Sequence, residues 1–153
     1  MDVLKAGAAM FVAALLQTSI VGSIDLLGGT PDLVLVTLVA IALLRGAIFG
    51  ACAGFFAGLI LDTANLGTLG QTSLLLTVAG YWIGRYGETT GRDRSHAPVL
   101  SVAVITILYA VGAVALHVVL GDPVDARVAL LEALVPSVLL NIILTVPVYA
   151  LAK

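Results

Sequence analysis

The stretch from Arg45 to Asp62, RGAIFGACAGFFAGLILD, limits what this chain can fold into more than any other. Gly46, Gly50, Gly54 and Gly58 recur at every fourth position, with Ala47, Ala51, Ala53 and Ala57 between them. An α-helix takes about 3.6 residues per turn, so a step of four advances by about 40° and the glycines form a slowly winding ridge. A ridge without side chains lets another backbone come close. In lipid, whose tails are as apolar as leucine, close packing of this kind is a main source of helix association. The ridge serves either packing inside the chain's own bundle or docking of another subunit, and at this level both readings stand.

Composition puts that helix in a membrane. Of 153 residues, 61% are hydrophobic and 10% are charged, where a soluble domain carries about 25% charged residues. So few charges cannot cover a water-facing surface, and residues 1–153 read as a single integral-membrane domain. A net charge of −2 argues against nucleic acid as a partner, which would need a basic patch. Cys52 has no second cysteine to pair with and reads as a small packing residue. Lys5 precedes an apolar run about as long as a full span, and no clear small-x-small site ends it. The first segment is therefore expected to be a retained transmembrane helix rather than a cleaved signal.

Apolar runs and breakers predict six spans, at about residues 6–24, 32–44, 46–61, 71–83, 99–120 and 128–151. The second and third fall short of the usual ~20 residues. They are divided at Arg45–Gly46 because an arginine at the bilayer centre costs at least about 2.5–3.5 kcal/mol, which a tight hairpin avoids. Asp62 to Gly70 is expected to be a turn and Arg85 to Pro98 the longest polar loop. Tyr81, Trp82 and Tyr86 suit the membrane–water boundary, and Pro136 and Pro147 are expected to kink the last span. With the N-terminus inside, Lys5, Arg45, Arg85, Arg92, Arg94 and Lys153 all fall in the cytoplasm, and only Arg127 of the seven basic residues falls outside. The positive-inside rule then favours an all-α polytopic bundle of about six helices with both termini cytoplasmic.

Catalytic signatures are missing. The chain has no Gly-rich loop ending in Lys-Ser or Lys-Thr, no His-Glu-x-x-His and no Gly-x-Ser-x-Gly. His96 and His117 have no partner at metal-ligand spacing. No metal, cofactor or enzymatic activity is expected. The polar candidates in or near spans are Gln17, Asp32, Arg45, Asp62 and Asn141. Asp62 either caps the turn that follows it or has a functional role. Gln17 and Asn141 either hydrogen-bond between helices, at about 0.6 kcal/mol per contact, or line a polar pocket.

The run from Pro31 to Tyr81 resembles the bacterial rod shape-determining protein MreD family. The residues that carry the resemblance are Pro31-Asp32, Leu43-Leu44-Arg45-Gly46, Gly50, Gly54, Gly58, Leu61-Asp62, Leu69-Gly70, Leu74 and Gly80-Tyr81. Gln17 in the first span and Asn141 with Pro147-Val148-Tyr149 in the last also match. Thr68 departs from the proline or bulky apolar residue frequent in the family at that place. The resemblance implies a non-enzymatic subunit of the cell-elongation machinery in the bacterial inner membrane. Its implied partners are MreC, RodA with a class B penicillin-binding protein, MreB indirectly, and membrane lipid. It also implies a fold similar to the S-components of energy-coupling-factor transporters. That similarity supplies the alternative function, a small-molecule-binding subunit of a membrane transporter.

Overall fold

The computed structural model describes residues 3–19, 29–66, 68–90, 96–121, 130 and 133–152. These form six α-helices and, among the described residues, no strand: α1 (Val3–Ser19), α2 (Leu33–Arg45), α3 (Ala47–Ala64), α4 (Gln71–Thr90), α5 (Ala97–Leu120) and α6 (Leu134–Ala152). α3, α5 and α6 are each long and apolar enough to cross a membrane, while α1 and α2 are shorter apolar helices.

The architectural centre is α2 rather than the glycine-rich helix. Its sequence, LVLVTLVAIALLR, is apolar on every face, and every residue from Val34 to Leu43 is buried. A helix apolar all round needs an apolar surrounding on all sides, and α2 obtains it by packing against each of the other five helices. Its 13 residues span only about 20 Å, well under the ~30 Å hydrocarbon core. That shortness imposes no thinning on a bilayer, because the surrounding helices and not α2 would meet lipid. Gly46 ends the helix with φ +96 and donates its N–H to the Ala42 carbonyl at 2.8 Å. A positive φ of this size favours glycine, so the sharp α2–α3 hairpin is written at that position.

Helix directions follow from the contacts. Gln17, late in α1, bonds to Pro31 and Leu33 at the start of α2, and α6 passes the same point at Asn141. α1 therefore runs toward the Asp32 end of α2, and α6 runs away from it. Apolar side chains dominate the outer surface: Phe11, Phe56, Trp82, Leu108, Leu139 and Ile143 are all exposed.

Several boundaries differ from the sequence expectation. α4 does not stop near residue 83 but continues to Thr90, so Arg85, Tyr86 and Glu88 lie on a helix and not in a loop. The extension has a partner, since Gly84 lies against Ala47 and Gly87 against Leu43. α3 likewise runs on to Ala64. Pro136 sits in the first turn of α6, where its missing N–H costs little; of the two prolines expected to kink the last span, only Pro147 lies inside the helix. Cys52 is exposed on the outside of α3 instead of packed. Asp25, Arg92, Asp93, Arg94, Asp122, Asp125, Arg127 and Lys153 lie outside the described residues.

Candidate functional site

α3 and α4 form the most closely packed helix pair in the molecule. A Cβ built on Gly50 would fall on the Gly80 carbonyl oxygen, one on Gly54 on the Leu76 carbonyl oxygen, and one on Gly58 on Ser73 Cα. The relation is reciprocal: a Cβ on Gly80 would strike the Gly50 carbonyl, and one on Gly84 the Ala47 amide. The ridge is thus turned toward α4, and backbone lies against backbone along it. Ser73 adds a bond across the seam, its hydroxyl donating to the Phe55 carbonyl at 2.9 Å. Gly46 closes the same face at the hairpin, where a side chain would collide with the Glu88 carboxylate.

Each end of the α3–α4 hairpin is held by one carboxylate. At one end Asp62, 4% exposed, accepts hydrogen bonds from the amides of Gly70 at 2.8 Å, Thr72 at 3.1 Å and Ser73 at 3.2 Å. The first amides of a helix have no partner within it, so an acid late in α3 caps the start of α4. At the other end Glu88 accepts the Ala47 amide at 2.8 Å, and an acid late in α4 caps the start of α3. A negative charge is favourable at both positions, where helix N-termini carry partial positive charge. Arg85 also pairs with Glu88 at 3.2 Å. That exposed pair adds little, at most about 1 kcal/mol.

Three of the polar candidates meet at the start of α2. The Gln17 amide donates to the Pro31 carbonyl at 3.2 Å and accepts the Leu33 amide at 2.8 Å. Asn141 Oδ1 accepts the Asp32 amide at 2.7 Å, and its Nδ2 donates to the Thr106 hydroxyl at 3.2 Å. Asp32 itself caps α2 by accepting the Leu35 amide at 2.8 Å. α1, α5 and α6 are thereby all tied to the entry of the central helix. Asn141 is buried and satisfied on both its oxygen and its nitrogen. Asn141→Leu would keep the volume and leave the Asp32 amide without its partner, at a cost of about 1–3 kcal/mol. The expected result is a lower thermal midpoint in detergent; an unchanged midpoint would remove Asn141 from the account of what holds α2.

Beside this junction is a cavity of about 220 Å³ lined by Thr30, Asp32, Tyr109, Ser137 and Asn141 among others. Small-molecule sites are usually about 300–1,000 Å³, and here Asn141 and Asp32 direct hydrogen bonds to the fold itself. Among the described residues no three His, Cys, Asp or Glu side chains come together as metal ligands would. The arrangement is suited to fixing helices against one another.

Sequence reasoning named Gln17, Asp32, Arg45, Asp62 and Asn141 as polar candidates and considered Gln17 with Asn141, as glue between helices or as the lining of a pocket, but it did not join either to Asp32, and it missed Glu88. A signal for Glu88 was present. Gly80, Gly84 and Gly87 continue a small-residue spacing past residue 83, which extends α4 and carries Glu88 to the hairpin.

The model of the family described as rod shape-determining protein MreD matches residues 4–153 of this chain. No curated protein and no solved structure matches it.

Proposed function

The chain belongs to the MreD family of rod shape-determining proteins, and on that premise we propose that it is a non-enzymatic scaffold subunit of the complex that drives bacterial cell elongation. In this reading it is a multi-pass protein of the inner membrane with six spans, both termini cytoplasmic, and a fold similar to that of transporter S-components. It binds MreC, connects through it to MreB, and supports RodA and a class B penicillin-binding protein in lateral peptidoglycan synthesis. The observation that carries the proposal is the family match across residues 4–153. The structure is compatible with it, because Gln17, Asp32, Asp62, Glu88 and Asn141 are spent on joining or capping helices. The glycine ridge is engaged with α4, so partner contact on this reading falls on the outer faces of the bundle and not on Gly46, Gly50, Gly54 or Gly58.

The test is native co-purification. The tagged chain is extracted gently from its own membrane, and bound proteins are identified by mass spectrometry. Recovery of MreC together with RodA and a class B penicillin-binding protein is expected. Recovery instead of a transporter membrane subunit with paired ATPases would replace the scaffold with the S-component-like alternative and return attention to the cavity beside Asp32.

A further inference from the structure

A groove of about 390 Å³ runs along the outside of the bundle between α1 and α3, walled by Phe11, Phe49, Phe56 and Ile60. Gly7 leaves it open on the α1 side, where an added Cβ would meet nothing within 4 Å. Along α3 its lining runs from Phe49 to Ile60, about 16 Å at 1.5 Å per residue. That is roughly one leaflet of a ~30 Å hydrocarbon core. An acyl chain from one leaflet fits this length, whereas a transmembrane helix would overrun it.

A cation adjoins the groove at Phe49, without itself lining it. The Arg45 guanidinium stacks over the Phe49 ring, 5.2 Å from its centroid. Its Nε and Nη2 are shielded from solvent and have no hydrogen-bond partner among the described residues. These two donors lie on one edge of the guanidinium and form the fork that takes two oxygens of a single phosphate or carboxylate. Left empty, such donors are costly in a site that water does not reach.

We propose that this corner binds an anionic phospholipid from the leaflet at the Arg45 end, with its phosphate on the Arg45 fork and one acyl chain in the α1–α3 groove. Charge and shape both select it. A zwitterionic lipid brings a phosphate already offset by its own ammonium, and a soluble anion would leave the apolar groove unused. In the orientation proposed above the leaflet is the cytoplasmic one, though the site stands in either orientation and independently of the scaffold function.

The full chain in detergent, titrated with dioleoyl phosphatidylglycerol and with the phosphatidylcholine of the same chains, gives the test by native mass spectrometry. One phosphatidylglycerol adduct should survive activation that strips phosphatidylcholine. Arg45→Gln should lower its occupancy about tenfold, equivalent to 1.4 kcal/mol, and Arg45→Lys should retain part of it. Gly7→Leu puts a branched side chain into the α1 wall of the groove, at a position where a Cβ meets nothing within 4 Å, and should also lose the adduct; it keeps the test open if Arg45→Gln fails to fold. Equal retention of the two lipids, or the same phosphatidylglycerol occupancy in wild type, Arg45→Gln and Gly7→Leu, would overturn the proposal. So would equal competition by glycerophosphoglycerol, which has the headgroup and no chains and would assign the fork to a free anion. Retention of neither lipid would also overturn it and leave the fork to a carboxylate from a partner protein.

Discussion

Gly54→Leu should separate α3 from α4 and sharply reduce the amount of protein that accumulates in the membrane. The first carbon of the new side chain would fall on the Leu76 carbonyl oxygen, and Thr77 N lies 3.0 Å from the same point. Both are backbone atoms of a neighbouring helix, so no rotamer change relieves the clash and the helices themselves must move apart. Overpacking against adaptable side chains costs about 1–3 kcal/mol; a backbone-to-backbone contact belongs at the top of that range or above it. The bonds that depend on the close approach, such as Ser73 to the Phe55 carbonyl, would be lost together with the packing. Gly7→Leu is the matched control, since it adds the same side chain to a membrane helix where a Cβ meets nothing. Comparable membrane levels and detergent melting midpoints for the two variants would remove the glycine seam from the account of the fold.

How far the sequence could reveal this depends on what lipid hides. Spacing alone exposed the ridge on α3, because a four-residue glycine repeat means the same thing in any solvent. The face opposite it was legible too, in Gly80, Gly84 and Gly87, but a polar stretch starting at Arg85 read as a loop and cut that second ridge short. The central place of α2 could not be read. In a soluble protein a helix as uniformly apolar as LVLVTLVAIALL must be buried by protein. In a membrane, lipid covers apolar faces equally well, and nothing in those residues separates a central helix from a peripheral one. The short length of α2 was the available clue, since a 13-residue helix sits more easily inside a bundle than against a full-thickness bilayer. The polar residues were legible as individuals but not as a set. Gln17 reaches Leu33 across 16 positions, whereas Asn141 reaches Asp32 across 109, and no periodicity reports a pairing of that separation. For Asp62 the two readings, cap or functional group, both survived the sequence, because an aspartate after an apolar run is common to both.

An Asp62 series separates those two readings. The carboxylate takes three amides from the first turn of α4 and the glycine before it. Hydrogen bonds to a charged acceptor are worth about 1.5–3 kcal/mol each before coupling among them is considered, so Asp62→Ala should destabilise the protein by about 3 kcal/mol or more. Asp62→Asn should fall between, because its single carbonyl can serve one set of donors while its amide nitrogen is set against another N–H. The local readout is hydrogen exchange. Protection at Gly70, Thr72 and Ser73 should drop in both variants, while the Ala47 amide, capped by Glu88 at the opposite end of the hairpin, should keep its protection. Unchanged exchange at residues 70–73 would show that the carboxylate does not cap α4. Partner recovery then decides what else the residue does. If capping is its whole role, Asp62→Asn protein that reaches the membrane folded should retain its partners in proportion to its abundance. A variant that keeps its fold and its exchange pattern elsewhere but loses a partner would place the carboxylate in that partner's contact. The burial of Asp62 argues for the first outcome: at 4% exposure, with three amides at the start of α4 already on its two oxygens, the group offers little surface for another subunit to find.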